Sequence, residues 1–148
     1  MTEPANVTEA LESFSKRELS DIKVLMVEDD SFFADIVLTK LSHHGCIPYS
    51  TGNGDEAIGL ATQYLPDVIV LDLMLPGLSG EEILAQLKAN EELKNIPVIV
   101  FSNKSGQADI EANLKAGAAE YLVKSATDIN TLVDIVKGVV MKARGELS

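Results

Sequence analysis

The 148 residues carry 23 Asp and Glu against 12 Lys and Arg, a formal net charge of -11, and 46% of them are hydrophobic. That size and balance suit one compact domain with a real core, and the acidity argues against nucleic acid as a direct partner, because phosphate backbones are bound by clustered Lys and Arg. The one cysteine, Cys46, excludes an intramolecular disulfide. No apolar run approaches the roughly 20 residues of a bilayer span, and Met1-Thr2-Glu3-Pro4 lacks the basic and apolar regions of a secretory signal. The sequence therefore predicts a cytoplasmic protein with no membrane contact.

Residues 1–20 read as an extension before the main fold. Within it Asn6-Val7-Thr8-Glu9 has the form of a capping box, and Val7, Leu11 and Phe14 follow at helical spacing. A short amphipathic helix is predicted there, its stripe a docking face or a homodimer contact. Residues 21–148 form the second unit. Its first strand is Ile22-Lys23-Val24-Leu25-Met26-Val27, which ends in Glu28-Asp29-Asp30. The first crossover helix spans residues 31–42, with Phe32, Phe33, Ile36, Val37 and Leu41 on one broad face and Gly45 as its stop. Asp30 fits the N-cap of that helix better than a metal ligand.

Ile47-Pro48-Tyr49-Ser50 is a weak strand. Asn53-Gly54-Asp55-Glu56 resembles a second capping box, for a helix to about residue 64 that Pro66 ends. The run Val68-Ile69-Val70-Leu71 has the character of a strand covered on both faces, and it delivers Asp72 to its carboxyl end. A third helix starts at Ser79-Gly80-Glu81-Glu82 and reaches about residue 90. Pro97 opens the strand Val98-Ile99-Val100-Phe101-Ser102, a position where proline is tolerated. A fourth helix runs from about residue 107 to a C-cap at Gly117, Glu120-Tyr121-Leu122-Val123 is a fifth strand, and the last helix covers about residues 128–144. Leu132, Ile135, Val136, Val139 and Val140 mark its inner face.

Five strand–helix pairs in strict alternation imply a doubly wound α/β fold, with a parallel sheet, right-handed crossovers and helices on both faces. In the flavodoxin-like strand order 2-1-3-4-5, strands one and three are neighbours, and Glu28, Asp29 and Asp72 meet at the switch point where such sheets bind ligands. Charges about 4 Å apart repel by roughly 4 kcal/mol at an effective dielectric of 20. Such a cluster calls for a proton held by a raised pKa, or for a hard divalent cation, Mg²⁺ being usual beside phosphate. Ser102 ends strand four and Lys124 ends strand five at the same edge. Three acids, a hydroxyl and an ammonium are the inventory of an acyl-phosphate site.

With those residues in place, the chain resembles a response-regulator receiver domain, the phosphoacceptor of two-component signalling, over about residues 21–144. The resemblance implies that Asp72 accepts a phosphoryl group from a histidine kinase or a histidine phosphotransfer protein. It implies Mg²⁺ held by Asp29, by Glu28 largely through water, by Asp72 and by the Met74 carbonyl. It further implies that Lys124 pairs with Asp72 and then with the phosphoryl group, that Ser102 bonds a phosphoryl oxygen, and that Tyr121 turns as Ser102 moves. A downstream effector protein would then read the face made by the fourth helix, the fifth strand and the last helix.

The chain departs from the family pattern at Ser125, where the family usually has a cis proline; a cis bond before serine costs about 2.5 to 4 kcal/mol and is not expected. Ser102 stands where threonine is commoner, and Asn103-Lys104 place an amide and a cation by the site mouth. His43-His44 suit a helix C-terminus better than a metal or relay site, since adjacent residues do not share a helix face. Cys46 reads as a packing residue. Two other functions stay open: a degenerate receiver that binds partners without phosphorylation, and a Mg-dependent aspartyl-phosphate phosphatase. The phosphatase would need an acid–base aspartate where this chain has Met74.

Overall fold

The computed structural model describes residues 20–145, and the helix expected before residue 20 lies outside them. Strands β1 (Lys23–Val27), β2 (Ile47–Thr51), β3 (Val68–Leu71), β4 (Val98–Ser102) and β5 (Glu120–Val123) alternate with helices α1 (Ser31–His43), α2 (Gly54–Tyr64), α3 (Gly80–Ala89), α4 (Gln107–Lys115) and α5 (Ile129–Ala143). A 3₁₀ turn at Lys124–Ala126 joins β5 to α5. All four strand pairings are parallel, in the order β2-β1-β3-β4-β5, the flavodoxin-like arrangement that the alternation predicts.

The side-chain alternation of strands sorts the interior into two layers. Val24, Met26, Val70, Ile99 and Phe101 face one way, under Val37 and Leu41 of α1 and Leu132, Val136 and Val140 of α5. Leu25, Val27, Ile69, Leu71 and Val100 face the other, against Ala57 and Ala61 of α2 and Ile83, Leu84 and Leu87 of α3. The three central strands are thus buried on both faces, which is why they read as continuous apolar runs. Strand β2 lies at the edge, where Pro48 breaks no inner ladder.

Helix starts follow their caps. Asp30 accepts the Phe33 amide, Ser79 the Glu82 amide and Asp128 the Thr131 amide. The box at Asn53 forms differently from expectation. Asn53 accepts the Asp55 amide, but Glu56 does not return to Asn53; it accepts the Thr51 hydroxyl, and Thr51 Oγ1 in turn accepts the Asn53 amide. Gly45, with φ of 95°, ends α1 in a conformation that costs a Cβ-bearing residue.

One predicted face holds and one is corrected. On α5, Leu132, Ile135, Val136, Val139 and Val140 all pack on the core as expected, Ile135 and Val139 half-buried, and Val133 joins them. On α1, Phe32 is 76% and Ile36 40% exposed, with Ala34 inside instead. The buried stripe of α1 runs through Ala34, Val37 and Leu41, with Phe33 and Leu38 packed beside it and Phe32 and Ile36 left in water.

Gly80 lets α3 begin directly against the end of β3. A Cβ there would stand 2.4 Å from both the Asp72 carbonyl oxygen and the Leu73 Cα. Gly80→Ala is expected to lower stability by about 1–3 kcal/mol, the range for overpacking, read as a lower urea midpoint at unchanged slope. Cys46 is buried, and burial first, then the Asp67 charge, pushes its thiol up to about 11. A thiol reagent at neutral pH is expected to label it only as fast as the protein unfolds.

Candidate functional site

Register brings the acids together. Val27 pairs with Leu71, so β1 and β3 end level, and the Asp72 amide donates to the Val27 carbonyl at 3.0 Å. Glu28 and Asp72 therefore project side by side from adjacent strand ends. Glu28, Asp29 and Asp72 each offer a carboxylate oxygen, all within 4.8 Å of one another. Glu28 and Asp72 are buried, at 4% and 6% exposure, whereas Asp29 faces solvent.

Ser102 pairs with Val123, which puts Lys124 one residue past the end of β5 and level with the same edge. Its ammonium donates to Asp72 Oδ2 at 2.8 Å and also to Glu28 Oε2. The other carboxylate oxygens are held as well. Asp72 Oδ1 accepts the Met74 amide at 3.1 Å, and Glu28 Oε1 accepts the Asp30 amide at 3.1 Å. The Phe33 ring lies under the ammonium, its centroid 5.2 Å from Nζ, and stacks in turn on Phe101.

Burial raises the Glu28 pKa, opposed by the Lys124 and Asp30 hydrogen bonds. Burial alone would lower Lys124, but its hydrogen bonds to Asp72 and Glu28 outweigh it and the net shift is upward. The Glu28 shift is chiefly the cost of burying a carboxylate, with the Asp72 charge a minor addition, whereas the Lys124 shift reflects the two carboxylates bonded to it. The arrangement can hold a hard cation through oxygen ligands, and it presents a carboxylate whose negative charge is matched by a fixed ammonium.

A further set of bonds centres on Lys104, two residues past the end of β4. Ser102 is fully buried, and its hydroxyl oxygen accepts the Lys104 amide at 3.3 Å. Tyr121, half-buried, donates its hydroxyl to the Lys104 carbonyl at 2.7 Å. The Lys104 side chain pairs with Glu81 at 3.1 Å. Among the described residues no peptide bond is cis, so Lys124–Ser125 is trans. Serine here carries an N–H that proline lacks, and Asn103 Oδ1 accepts it at 3.1 Å. Two of the three departures from the family pattern thus bond to each other.

The structure brings together Glu28, Asp29, Asp72 and Lys124, with Met74 beside them and 57% exposed, while Ser102 ends β4, the strand between β3 and β5, and bonds to the Lys104 amide. Asp30 caps α1. The Glu28–Lys124 bond, the Phe33 platform and the Asn103–Ser125 bond are not legible in the sequence. Phe33 carried a faint signal, one helical turn beyond the acidic cluster.

The model of the response regulator receiver domain matches residues 24–137. The chain belongs to that family. A probable transcriptional regulator, ycf29 of Pyropia yezoensis, is 35% identical over 81% of this chain and 54% of its own length. This receiver domain spans about half the length of the curated relatives it matches. The receiver domain of the Francisella response regulator 1452 is 31% identical, with a TM-score of 0.76 over 84% of this chain and 99% of that one. The receiver domain of a sensor histidine kinase from Pseudomonas aeruginosa PAO1 is 26% identical, with a TM-score of 0.74 over 82% and 98% of the two chains; it was solved with a magnesium ion coordinated in its active-site cleft. Among the described residues of this receiver domain, no helix is long and apolar enough to cross a membrane.

Lys124→Met keeps the stem and removes the charge, leaving two buried carboxylates without their cation. In metal-free buffer it is expected to cost about 3–5 kcal/mol, measured by denaturant unfolding.

Proposed function

We propose that this receiver domain takes a phosphoryl group onto Asp72 from a phosphohistidine donor, a histidine kinase or a histidine phosphotransfer protein. The observation that carries this reading is the single ammonium of Lys124 held on Asp72 within a cluster of three carboxylates. In the transfer, a carboxylate oxygen of Asp72 bonds to phosphorus as the bond from phosphorus to the donor's imidazole nitrogen breaks. The electron pair stays on that nitrogen, which takes up a proton.

The residues present fit Mg²⁺: Glu28, Asp29 and Asp72 would hold it, with the Met74 carbonyl as a further oxygen ligand. When bound, the ion supplies positive charge that offsets the phosphoryl oxygens and orients them for in-line displacement. Asp29 is the exposed member of the set, so an ion would enter from its side. Lys124 orients the Asp72 carboxylate beforehand and can follow the negative charge onto the phosphoryl group afterwards.

Phosphorylation adds a charge of roughly -1.5 to -2 and three acceptor oxygens. The Ser102 oxygen already accepts a hydrogen bond, which leaves its own proton to donate to one of them. Lys104 links Ser102 to Tyr121 through its two backbone groups. A shift of Ser102 toward the phosphoryl group therefore acts on Tyr121 and on the face of α4, β5 and α5, which an effector protein would read. Reversing a 1:99 equilibrium to 99:1 needs about 5.5 kcal/mol of preference, within reach of several charge-assisted bonds.

Incubation with Mg²⁺ and acetyl phosphate, followed by intact-mass measurement, is expected to show one added phosphoryl group. Asp72→Ala or a chelator should abolish it. No gain in the wild type would favour an interaction module that works unphosphorylated, and steady turnover of phosphomonoesters would favour a phosphatase.

A further inference from the structure

The charged groups at the sheet edge are not rooted alike. The Glu28 amide donates to the Thr51 carbonyl at 3.0 Å and the Asp72 amide to the Val27 carbonyl at 3.0 Å, so each acid stands on a main-chain rung of its own. Lys124 is held differently. The β4–β5 register ends at the pair Ser102 and Val123, one residue before it, and β5 is the last strand in the sheet order. The next link between the two strands is made by a side chain: Asn103 Oδ1 accepts the Ser125 amide at 3.1 Å.

We propose that Asn103 is a positioning residue for phosphotransfer, holding the root of Lys124 through the Ser125 amide so that the ammonium stays on Asp72. The role rests on Asp72 being the phosphoacceptor.

The reach of the lysine makes its root matter. In the order β2-β1-β3-β4-β5, Asp72 stands two strands from Lys124 and Glu28 three strands away. Neighbouring strands lie about 4.8 Å apart, so the backbones of β5 and β3 are separated by about 9.5 Å. The lysine stem therefore crosses the end of β4 to place Nζ 2.8 Å from Asp72 Oδ2. A side chain drawn out over that span has little slack, and a displaced root carries the ammonium off the carboxylate.

The local turn is a weak anchor. Lys124–Ala126 is a single 3₁₀ turn with no side-chain cap at its start, and the bond that closes it, from the Thr127 amide to the Lys124 carbonyl, is long at 3.4 Å. The first amides of a helical turn find no partner inside it, and the Ser125 amide is one of these. Packing leaves one flank open as well. The Phe33 ring lies under the ammonium at 5.2 Å, but Lys124 borders a hollow of about 260 Å³ that Asp30, Phe33, Asn103 and Ser125 also line. Asn103, by contrast, springs from a firm base, since Ser102 before it is paired with Val123 and fully buried. A bond from that base to Ser125 passes the rigidity of the central sheet to the residue next to the lysine.

Three measurements on the full chain test this. Asn103→Leu keeps the size and removes the acceptor, whereas Asn103→Asp keeps both the size and the accepting oxygen. By hydrogen exchange followed by NMR, the Ser125 amide is expected to exchange about tenfold faster in Asn103→Leu and within about threefold of wild type in Asn103→Asp. With Mg²⁺ and acetyl phosphate, the rate of phosphoryl gain read by intact mass should fall at least about tenfold in Asn103→Leu, as a small misplacement of a charged group can produce, and recover most of the way in Asn103→Asp. Urea unfolding in metal-free buffer supplies the third measurement. The drop in midpoint caused by Asn103→Leu should shrink by at least about half when Lys124 is already methionine, or glutamine if that variant does not fold, because the two residues act as a unit. A bond that only steadied the turn would cost the same in either background.

The proposal is overturned by Asn103→Leu gaining phosphoryl groups at the wild-type rate, by Asn103→Asp being as slow as Asn103→Leu, or by equal midpoint losses in the two backgrounds. A wild type that takes up no phosphoryl group sinks the phosphoacceptor reading and with it the role in transfer, while the exchange and unfolding measurements show whether Asn103 holds Lys124.

Discussion

One ammonium organises the carboxyl edge of this sheet. Lys124 binds Asp72 and Glu28 at once, and both acids are buried on neighbouring strands. Without a cation, two carboxylates at this separation would repel and neither could be desolvated cheaply. The bond spans 96 residues in one direction and 52 in the other, so it needs β1, β3 and β5 to end at a common level. Parallel pairing with the observed register supplies that level, and the two apolar layers hold it.

From that edge the structure leads outward along two routes. Ser102, Lys104 and Tyr121 form a backbone-centred relay, in which both amide groups of Lys104 are engaged by side chains from β4 and β5. Those two bonds join the end of β4 to Tyr121 on β5. The other route runs along α1, which starts at the acidic cluster and carries an apolar stripe that the domain's own core does not use. Asn103 and Ser125 are joined by a side-chain bond at the rim of a hollow that Asp30, Phe33 and Lys124 also line.

Much of this was legible from residue order. All five strand–helix pairs were predicted within about two residues at their ends, because the central strands are uninterrupted apolar runs and most helices announce their caps. Asp30 reads as a cap and acts as one. The failures have identifiable causes. Phe32 and Ile36 fit a helical stripe as well as Ala34 does, and only the position of α5 decides which edge of the stripe is covered. The box at Asn53 was misread because Thr51, two residues earlier on β2, competes for the Glu56 carboxylate and wins.

The sequence by itself determined the alternation of elements, the type of sheet and the candidates for its chemistry. Periodicity, caps and strand-end acids are properties of neighbouring residues, and neighbouring residues are what a sequence displays. Tertiary structure alone decided that Lys124 would hold Glu28 as well as Asp72, that Phe33 would lie beneath it, that Asn103 would satisfy Ser125, and that one side of α1 would stay open. Each of those depends on strand register and helix rotation, which are settled by how the two buried layers pack and not by any local pattern.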